Sequence, residues 1–374
     1  MPLSKGLENV YVAETSISSI IDDKLKYVGY DINDLVENDV TFEEVIYLLW
    51  HLRLPNQAEL TQFKEELQAS MVVPETIISS LRMQNHQQLH PMSVLRTTVS
   101  MLGVFDNEAE KDDGEAVYRK GLRLQARMPT LVAAFSRIRR GLDPIMPKEG
   151  LSIAANFLYM ITGEEADELS THAMNQALVL HADHEFNAST FTARVCVATL
   201  SDVYSGVTAA IGALKGPLHG GANERVFDML EEIDRADSNV RDYIRYKVNH
   251  HQKIMGFGHR VYQTGDPRAK YLRTASENLA KAKNEEKWFQ LSLEIEEAVW
   301  ELKHLRPNVD FYSASVYHAL GIDVDLFTLV FSVSRVSGWL AHIFEQYRDN
   351  RLIRPRAIYV GPKDRQYLPI EERD

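Results

Sequence analysis

Apolar residues return at helical spacing along most of the chain, and this periodicity restricts the fold more than any other feature. Thr41 and Glu44 in TFEEVIYLLW form a capping box ahead of a stripe that begins with Val45, Leu48 and Leu49. Leu60, Phe63 and Leu67 repeat the spacing up to the break at Pro74. Met92, Leu95, Val99 and Leu102 repeat it after Pro91, and Trp288, Leu291, Ile295, Val299 and Leu302 form a long stripe that ends before Pro307. Residues 7–31 read differently: short β-like runs flank Asp22 and Asp23, which predicts a small hairpin. The expected fold class is mainly α, with a small N-terminal β hairpin.

At 374 residues the chain has room for two or three domains of roughly 150 residues each. The formal net charge of −12 argues against a nucleic-acid partner, because a basic face would need heavy compensation elsewhere. A small anionic ligand stays allowed, provided arginines or lysines cluster around it. Cys196 is the only cysteine, so no disulfide framework forms, which fits a reducing cytoplasm. The opening MPLSKGLENVYVAETSIS lacks the apolar run of a signal peptide. No uninterrupted apolar stretch reaches the roughly 18 residues that cross a bilayer. A cytoplasmic protein without a membrane partner is expected. VTAAIGALKG, Val207 to Gly216, is rich in Ala and Gly and suits close helix approach, either at an interface or in the core.

Four segments carry candidate chemistry. HADHEFNAST holds His181, Asp183, His184 and Glu185. Its H-x-x-H spacing invites a zinc reading, but no further ligand stands at readable spacing, and a polar substrate contact is favoured. In KGPLHGGANERVFDMLEEI, His219 stands just before a helix N-terminus, whose partial positive charge keeps an imidazole neutral. A neutral histidine donates a hydrogen bond to a developing enol or oxyanion; the alternative is a turn histidine without chemistry. GFGHRVYQTGDPR contains His259 and Arg268 between glycines that expose backbone N–H groups. It is neither a P-loop nor a dinucleotide fingerprint. In LRPNVDFYSASVYHALG, Asp310 sits among Val309, Phe311 and Tyr312, a costly place for a carboxylate without a task. It is a general base with a raised pKa or an N-cap for a helix beginning near Ser313. Arg335 occupies the nearly uncharged run LFTLVFSVSRVSGWLAHIF, and Arg354 lies in LIRPRAIY. With Arg268, they are the residue type that clamps a dianion by bidentate bonds.

Taken together, LHADHEFNAST, GPLHGGANE, MGFGHRVYQTGDPR, RPNVDFYSA and FSVSRVSGWLAH resemble the citrate synthase family in order and spacing, over essentially the whole chain. The chain looks like the short bacterial or archaeal form. The resemblance implies condensation of acetyl-CoA with oxaloacetate and water to give citrate and CoA. It assigns Asp310 the proton abstraction, His219 the enol oxygen and His259 the oxaloacetate carbonyl. His184, Arg268 and Arg335 would hold the oxaloacetate carboxylates, with Arg354 contributed by the other subunit of a homodimer. Phe331 and Asn187 match positions near the substrate, and Met255, Gly256 and Gly258 match the segment that receives CoA. Lys253 and Arg260 lie near that segment. A small domain of residues 223–315 would close over a large domain made of 1–222 and 316–374. No metal or cofactor is implied, CoA being a substrate.

The nearest rival is 2-methylcitrate synthase, which shares these residues and uses propionyl-CoA. A metal-dependent phosphohydrolase would want a His-Asp dipeptide, and none occurs; a terpenoid synthase would want a third spaced aspartate beside IDDKL or KDDGE. A non-catalytic acyl-CoA or dicarboxylate sensor on the same fold would be expected to lack Asp310 or a histidine, and all are present.

Overall fold

The computed structural model describes residues 4–7, 10–83, 88–236, 239–259 and 261–373; Arg260 lies outside the described residues. Strands β1 (Ser18–Ile21) and β2 (Lys24–Tyr27) pair antiparallel with Ile21 opposite Lys24. The two residues between them, Asp22 and Asp23, have φ of 53° and 57°, as the type I′ turn that matches strand twist demands. A third strand, β3 (Tyr30–Asp31), pairs with β2 and extends the expected hairpin to a three-stranded sheet. Two residues are too few to show a period, so the sequence carries no sign of it.

Helices account for most of the rest. First come α1 (Ile32–Glu37), α2 (Phe42–His51), α3 (Gln57–Ser70) and α4 (Glu75–Met83). The Thr41 and Glu44 capping box is formed: Thr41 Oγ1 accepts from the Glu44 N–H at 3.3 Å, and Glu44 Oε2 accepts from the Thr41 N–H at 2.9 Å. Next are α5 (Pro91–Val104), α6 (Gly114–Arg139), α7 (Ile153–Thr162) and α8 (Glu168–His181). After them run α9 (Ala188–Val197), α10 (Val203–Leu214), α11 (Ala222–Arg235) and α12 (Val240–Asn249). The last four are α13 (Ala269–Lys283), α14 (Glu286–Lys303), α15 (Val309–Ala319) and α16 (Phe327–Arg348).

α16 is the centre of the core. It packs on α2, α5, α6, α8, α9, α10 and α11, and its length and apolarity are satisfied by burial within this chain. Close approach to the end of α8 depends on Gly338, where a Cβ would stand 2.5 Å from the Ala182 carbonyl oxygen. This brings Arg335, one turn earlier on α16, beside the loop that follows α8. In the Ala/Gly-rich helix α10, Val207, Ala210, Ile211 and Leu214 are buried, so that face serves the core.

A second join draws two distant segments together. Gly256 and Gly258 have φ of 78° and 74°, which favours glycine at both positions. Between them Phe257 forms an isolated antiparallel bridge with Pro307. The Gly258 N–H donates to Arg306 O at 3.1 Å, and the Asn308 N–H donates to Gly256 O at 2.8 Å. Asn308 also N-caps α15 by accepting from the Asp310 N–H at 3.0 Å, while its Nδ2 donates to Gly258 O at 2.9 Å. The cap of this helix is therefore Asn308, and Asp310 stands in its first turn with its carboxylate free of that duty.

Candidate active site

The loop after α8 carries His184, which is buried. Its Nε2 lies 3.0 Å from Tyr262 Oη, and its ring centroid is 5.2 Å from that of His259. His259 Nδ1 accepts from the Val261 and Tyr262 N–H groups at 3.0 and 3.3 Å. Backbone amides can only donate, so the His259 proton resides on Nε2, a donor without a hydrogen-bond partner among the described residues. Burial, helped by the Arg268 charge, pushes His259 down to about 4. Burial and the same arginine hold His184 well below the usual imidazole value. Both rings are neutral at pH 7. His181 ends α8, donates from Nδ1 to Ala177 O at 2.7 Å and sits edge-on to Phe331 at 5.0 Å. The two histidines thus make hydrogen bonds to separate partners, His181 Nδ1 to Ala177 O and His184 Nε2 to Tyr262 Oη.

His219 precedes α11, whose N-cap position is Gly221. Its Nε2 accepts from the Ser189 N–H at 3.2 Å and lies 2.8 Å from Ser189 Oγ. The amide contact again settles the tautomer: the proton is on Nδ1. Burial, with a contribution from Arg335, lowers His219 to about 4. Asn187 N-caps α9, its Oδ1 accepting from the Ser189 and Thr190 N–H groups, both at 3.1 Å, and its Nδ2 donating to Thr190 Oγ1 at 2.9 Å. Trp339 Nε1 on α16 donates to Ser189 Oγ at 3.0 Å. Sequence reasoning missed Ser189, because nothing in NAST distinguishes a serine whose backbone does the work.

Two buried arginines face this cluster. Arg335 donates from Nε to His181 O at 2.7 Å, and its guanidinium lies 4.6 Å from the Phe331 ring centroid. Burial lowers Arg335 to about 10, which leaves it cationic at pH 7. Its two Nη groups have no hydrogen-bond partner among the described residues. Arg268, 2 % exposed, is held by Asp266 through Nε and Nη2 at 2.9 and 2.8 Å. Its Nη1 is likewise unpaired among the described residues. Arg354 is not gathered here; it lies beyond α16 in an exposed segment without regular structure.

Asp310 completes the group. Its carboxylate accepts no hydrogen bond among the described residues, and burial raises its pKa to about 7 against the opposing charges of Arg268 and Arg335. A buried carboxylate short of donors and near the Asp266 charge behaves this way, and it suits proton abstraction near neutral pH. Beside it runs the 255–258 segment. A Cβ at Gly256 would come within 2.8 Å of Phe311 and Val226, so the backbone there is packed against the base of α15. The arrangement offers a base, two neutral N–H donors and two cations with free N–H groups.

The family model for the citrate synthase C-terminal domain matches residues 6–356. The chain belongs to the citrate synthase family. It is 60% identical over 373 residues, covering 100% of both chains, to citrate synthase 2 of Bacillus subtilis strain 168. It is 43% identical over 366 residues, 97% of this chain and 92% of the other, to 2-methylcitrate synthase of Mycobacterium tuberculosis. The ternary complex of carboxymethyl coenzyme A and oxaloacetate with citrate synthase from the archaeon Thermoplasma acidophilum superposes with a TM-score of 0.92 at 34% identity, covering 100% of both chains. The mainly helical class expected from the stripes, and the citrate synthase fold implied by the resemblance, are thus those of this chain, and among the described residues its strands are confined to the small N-terminal sheet.

Proposed function

We propose that this protein is an acyltransferase of the citrate synthase type, condensing acetyl-CoA with oxaloacetate and water to give citrate and CoA. The observation that carries this reading is the free Asp310 carboxylate, raised to about 7, beside buried Arg268 and Arg335 and two neutral histidines whose donor protons are fixed. In this reading Asp310 removes a proton from the thioester methyl. The developing enol oxygen accepts from His219 Nδ1–H, since a weakly acidic α-proton needs a donor at the forming oxyanion. The enol carbon then bonds to the oxaloacetate carbonyl carbon, and the carbonyl oxygen accepts from His259 Nε2–H and takes up the proton. Water cleaves the resulting citryl thioester, releasing citrate and the CoA thiol.

Arg335 and Arg268 would hold the carboxylates through their unpaired Nη groups, with His184 beside them and Phe331 under the Arg335 guanidinium. Asn187 would act by holding Ser189 against His219. Met255, Gly256 and Gly258 would receive CoA. Residues 223–315 would close over the remainder after oxaloacetate binds, excluding water until condensation is complete. No cofactor takes part in this scheme; the CoA thioester is consumed as a substrate. The acetyl-CoA reading is favoured over the propionyl-CoA one by the 60% identity to the relative named citrate synthase 2, against 43% to that named 2-methylcitrate synthase.

The functional unit would be a cytoplasmic homodimer with Arg354 reaching the partner's site. Supporting it, the segment after α16 exposes Ile358, Tyr359, Val360, Tyr367 and Ile370, an apolar surface that seeks a cover.

The test is thiol release from acetyl-CoA and propionyl-CoA, each with and without oxaloacetate, with Asp310→Ala as control. Release that requires oxaloacetate, favours acetyl-CoA and vanishes in the variant supports the reading. A preference for propionyl-CoA moves it to 2-methylcitrate synthase, and no release from either defeats it.

A further inference from the structure

The N-terminal hairpin touches both histidine loops. Along its strands, Ser18 Oγ donates to Asp183 Oδ2 and accepts from the Glu185 N–H at 3.0 Å, while the Ile20 N–H donates to Glu185 Oε1. Tyr27 Oη accepts from the Asp183 N–H at 3.2 Å. These bonds bracket His184 from both sides in sequence. At the tip of the same hairpin the Asp23 carboxylate reaches a second loop. Its Oδ1 accepts from the Gln263 N–H at 3.0 Å; its Oδ2 accepts from the Thr264 N–H at 2.7 Å and from Thr264 Oγ1 at 2.6 Å.

That second loop is the one that orients His259, through the Val261 and Tyr262 N–H groups bonded to Nδ1. It also supplies Tyr262 Oη to His184. The turn that presents Asp23 has positive φ at both residues, the two-residue form whose twist continues that of the flanking strands. Three donors converge on one carboxylate whose pKa they depress, the Thr264 hydroxyl first. Such a cluster of charge-assisted bonds fixes a loop rather than decorating it.

We propose that the hairpin is a template that sets His184 and His259 side by side, and that Asp23 is the positioning residue through which it orients His259. Asp23 acts through the 261–264 backbone and never meets substrate. The consequence for catalysis rests on the citrate synthase reading above, whereas the positioning itself does not.

Asp23→Ala and Asp23→Asn are compared with the intact protein by amide hydrogen exchange over residues 256–268 and by steady-state kinetics. In Asp23→Ala, the Gln263 and Thr264 amides exchange faster, and so do those of Val261 and Tyr262, which Asp23 does not touch. The oxaloacetate KM rises about tenfold, equivalent to about 1.4 kcal/mol, while the acetyl-CoA KM at saturating oxaloacetate is unchanged. Asp23→Asn keeps an acceptor oxygen and recovers part of both effects. Unchanged exchange at Val261 and Tyr262 in the folded Asp23→Ala variant overturns the proposal. So does an oxaloacetate KM equal to that of the intact protein, or an equal rise in both KM values, which is general loosening. If the intact protein releases no thiol, the proposed reaction fails and the exchange arm alone decides the positioning.

Discussion

The Asp266 carboxylate holds the Arg268 guanidinium with two hydrogen bonds, Oδ1 from Nε at 2.9 Å and Oδ2 from Nη2 at 2.8 Å. Its Oδ2 also accepts from the Val309 N–H at 2.9 Å. One carboxylate therefore ties Arg268, proposed above to hold oxaloacetate, to the first turn of the helix that carries Asp310, and sequence separation of the two segments is bridged by a single buried charge.

Asp266→Asn will raise the oxaloacetate KM, because an amide cannot hold both arms of the Arg268 fork. Leaving a buried charge without its partner costs about 3–5 kcal/mol, so a lower melting temperature accompanies it. The same substitution removes a negative charge that helps raise Asp310. The acid limb of kcat/KM will consequently move to lower pH. A limb that stays in place would show that Asp266 acts on Arg268 alone.

Arg335→Lys will weaken oxaloacetate binding. The fork becomes a point charge, and with a lost charge-assisted bond of about 1.5–3 kcal/mol the affinity falls at least about tenfold. Calorimetric titration with oxaloacetate measures it, and an unchanged Kd would remove Arg335 from the anion site.

In a pH series, kcat/KM will fall on the acid side with an apparent pKa near the Asp310 value of about 7, since the protonated carboxyl is no base. His219 and His259, both at about 4, stay neutral over this range and add no second limb. An acid limb centred below pH 5 would contradict the assignment of Asp310 as the base.

Asp310 also links pH to stability. Its carboxyl is raised from 3.8 to about 7 in the folded state, so the folded protein binds this proton more tightly than the unfolded chain. The resulting stabilisation is complete below the unfolded value and is lost as pH climbs through about 7, amounting to at most about 4 kcal/mol. Asp310→Asn will therefore melt at a higher temperature than the intact protein at pH 8 and show little difference at pH 4. Thermal melts at the two pH values decide it; equal shifts at both would point to packing instead.

Much of this was legible in the residues. The Asp22 and Asp23 turn, the Thr41 capping box and the stripe from Trp288 to Leu302 all rest on local chemistry, and local chemistry is what a sequence displays. Arg335 was readable as buried because the run from Leu326 to Phe344 around it holds no other Asp, Glu, Lys or Arg, and His219 as neutral because it precedes a helix. Ser189, Asp266, Tyr262 and Asn308 were not readable in their roles. Each acts across tens of residues through a backbone amide or a single shared oxygen, and their residue types are common on any surface. Asp310 as a helix cap was an equal alternative in the sequence; Asn308, two residues earlier, takes the cap and leaves Asp310 unengaged. Pro129 illustrates the converse. It lies inside the 26-residue α6, where burial of its neighbours outweighs the lost backbone bond.

The position of α16 bears on how the chain comes into being. Ribosomes emit residues in order, and domains begin to organise from the N-terminal side during synthesis. The helix against which α2, α5, α6, α8, α9 and α10 all pack spans Phe327–Arg348, so it emerges after every one of them. Until then those helices can pack on one another, as α9 and α5 do on α10 and α2 does on α8, but the faces that α16 covers stay open to water. A nascent chain of this protein thus carries an unfilled apolar seat through its core, and that surface is covered only when this late helix is delivered.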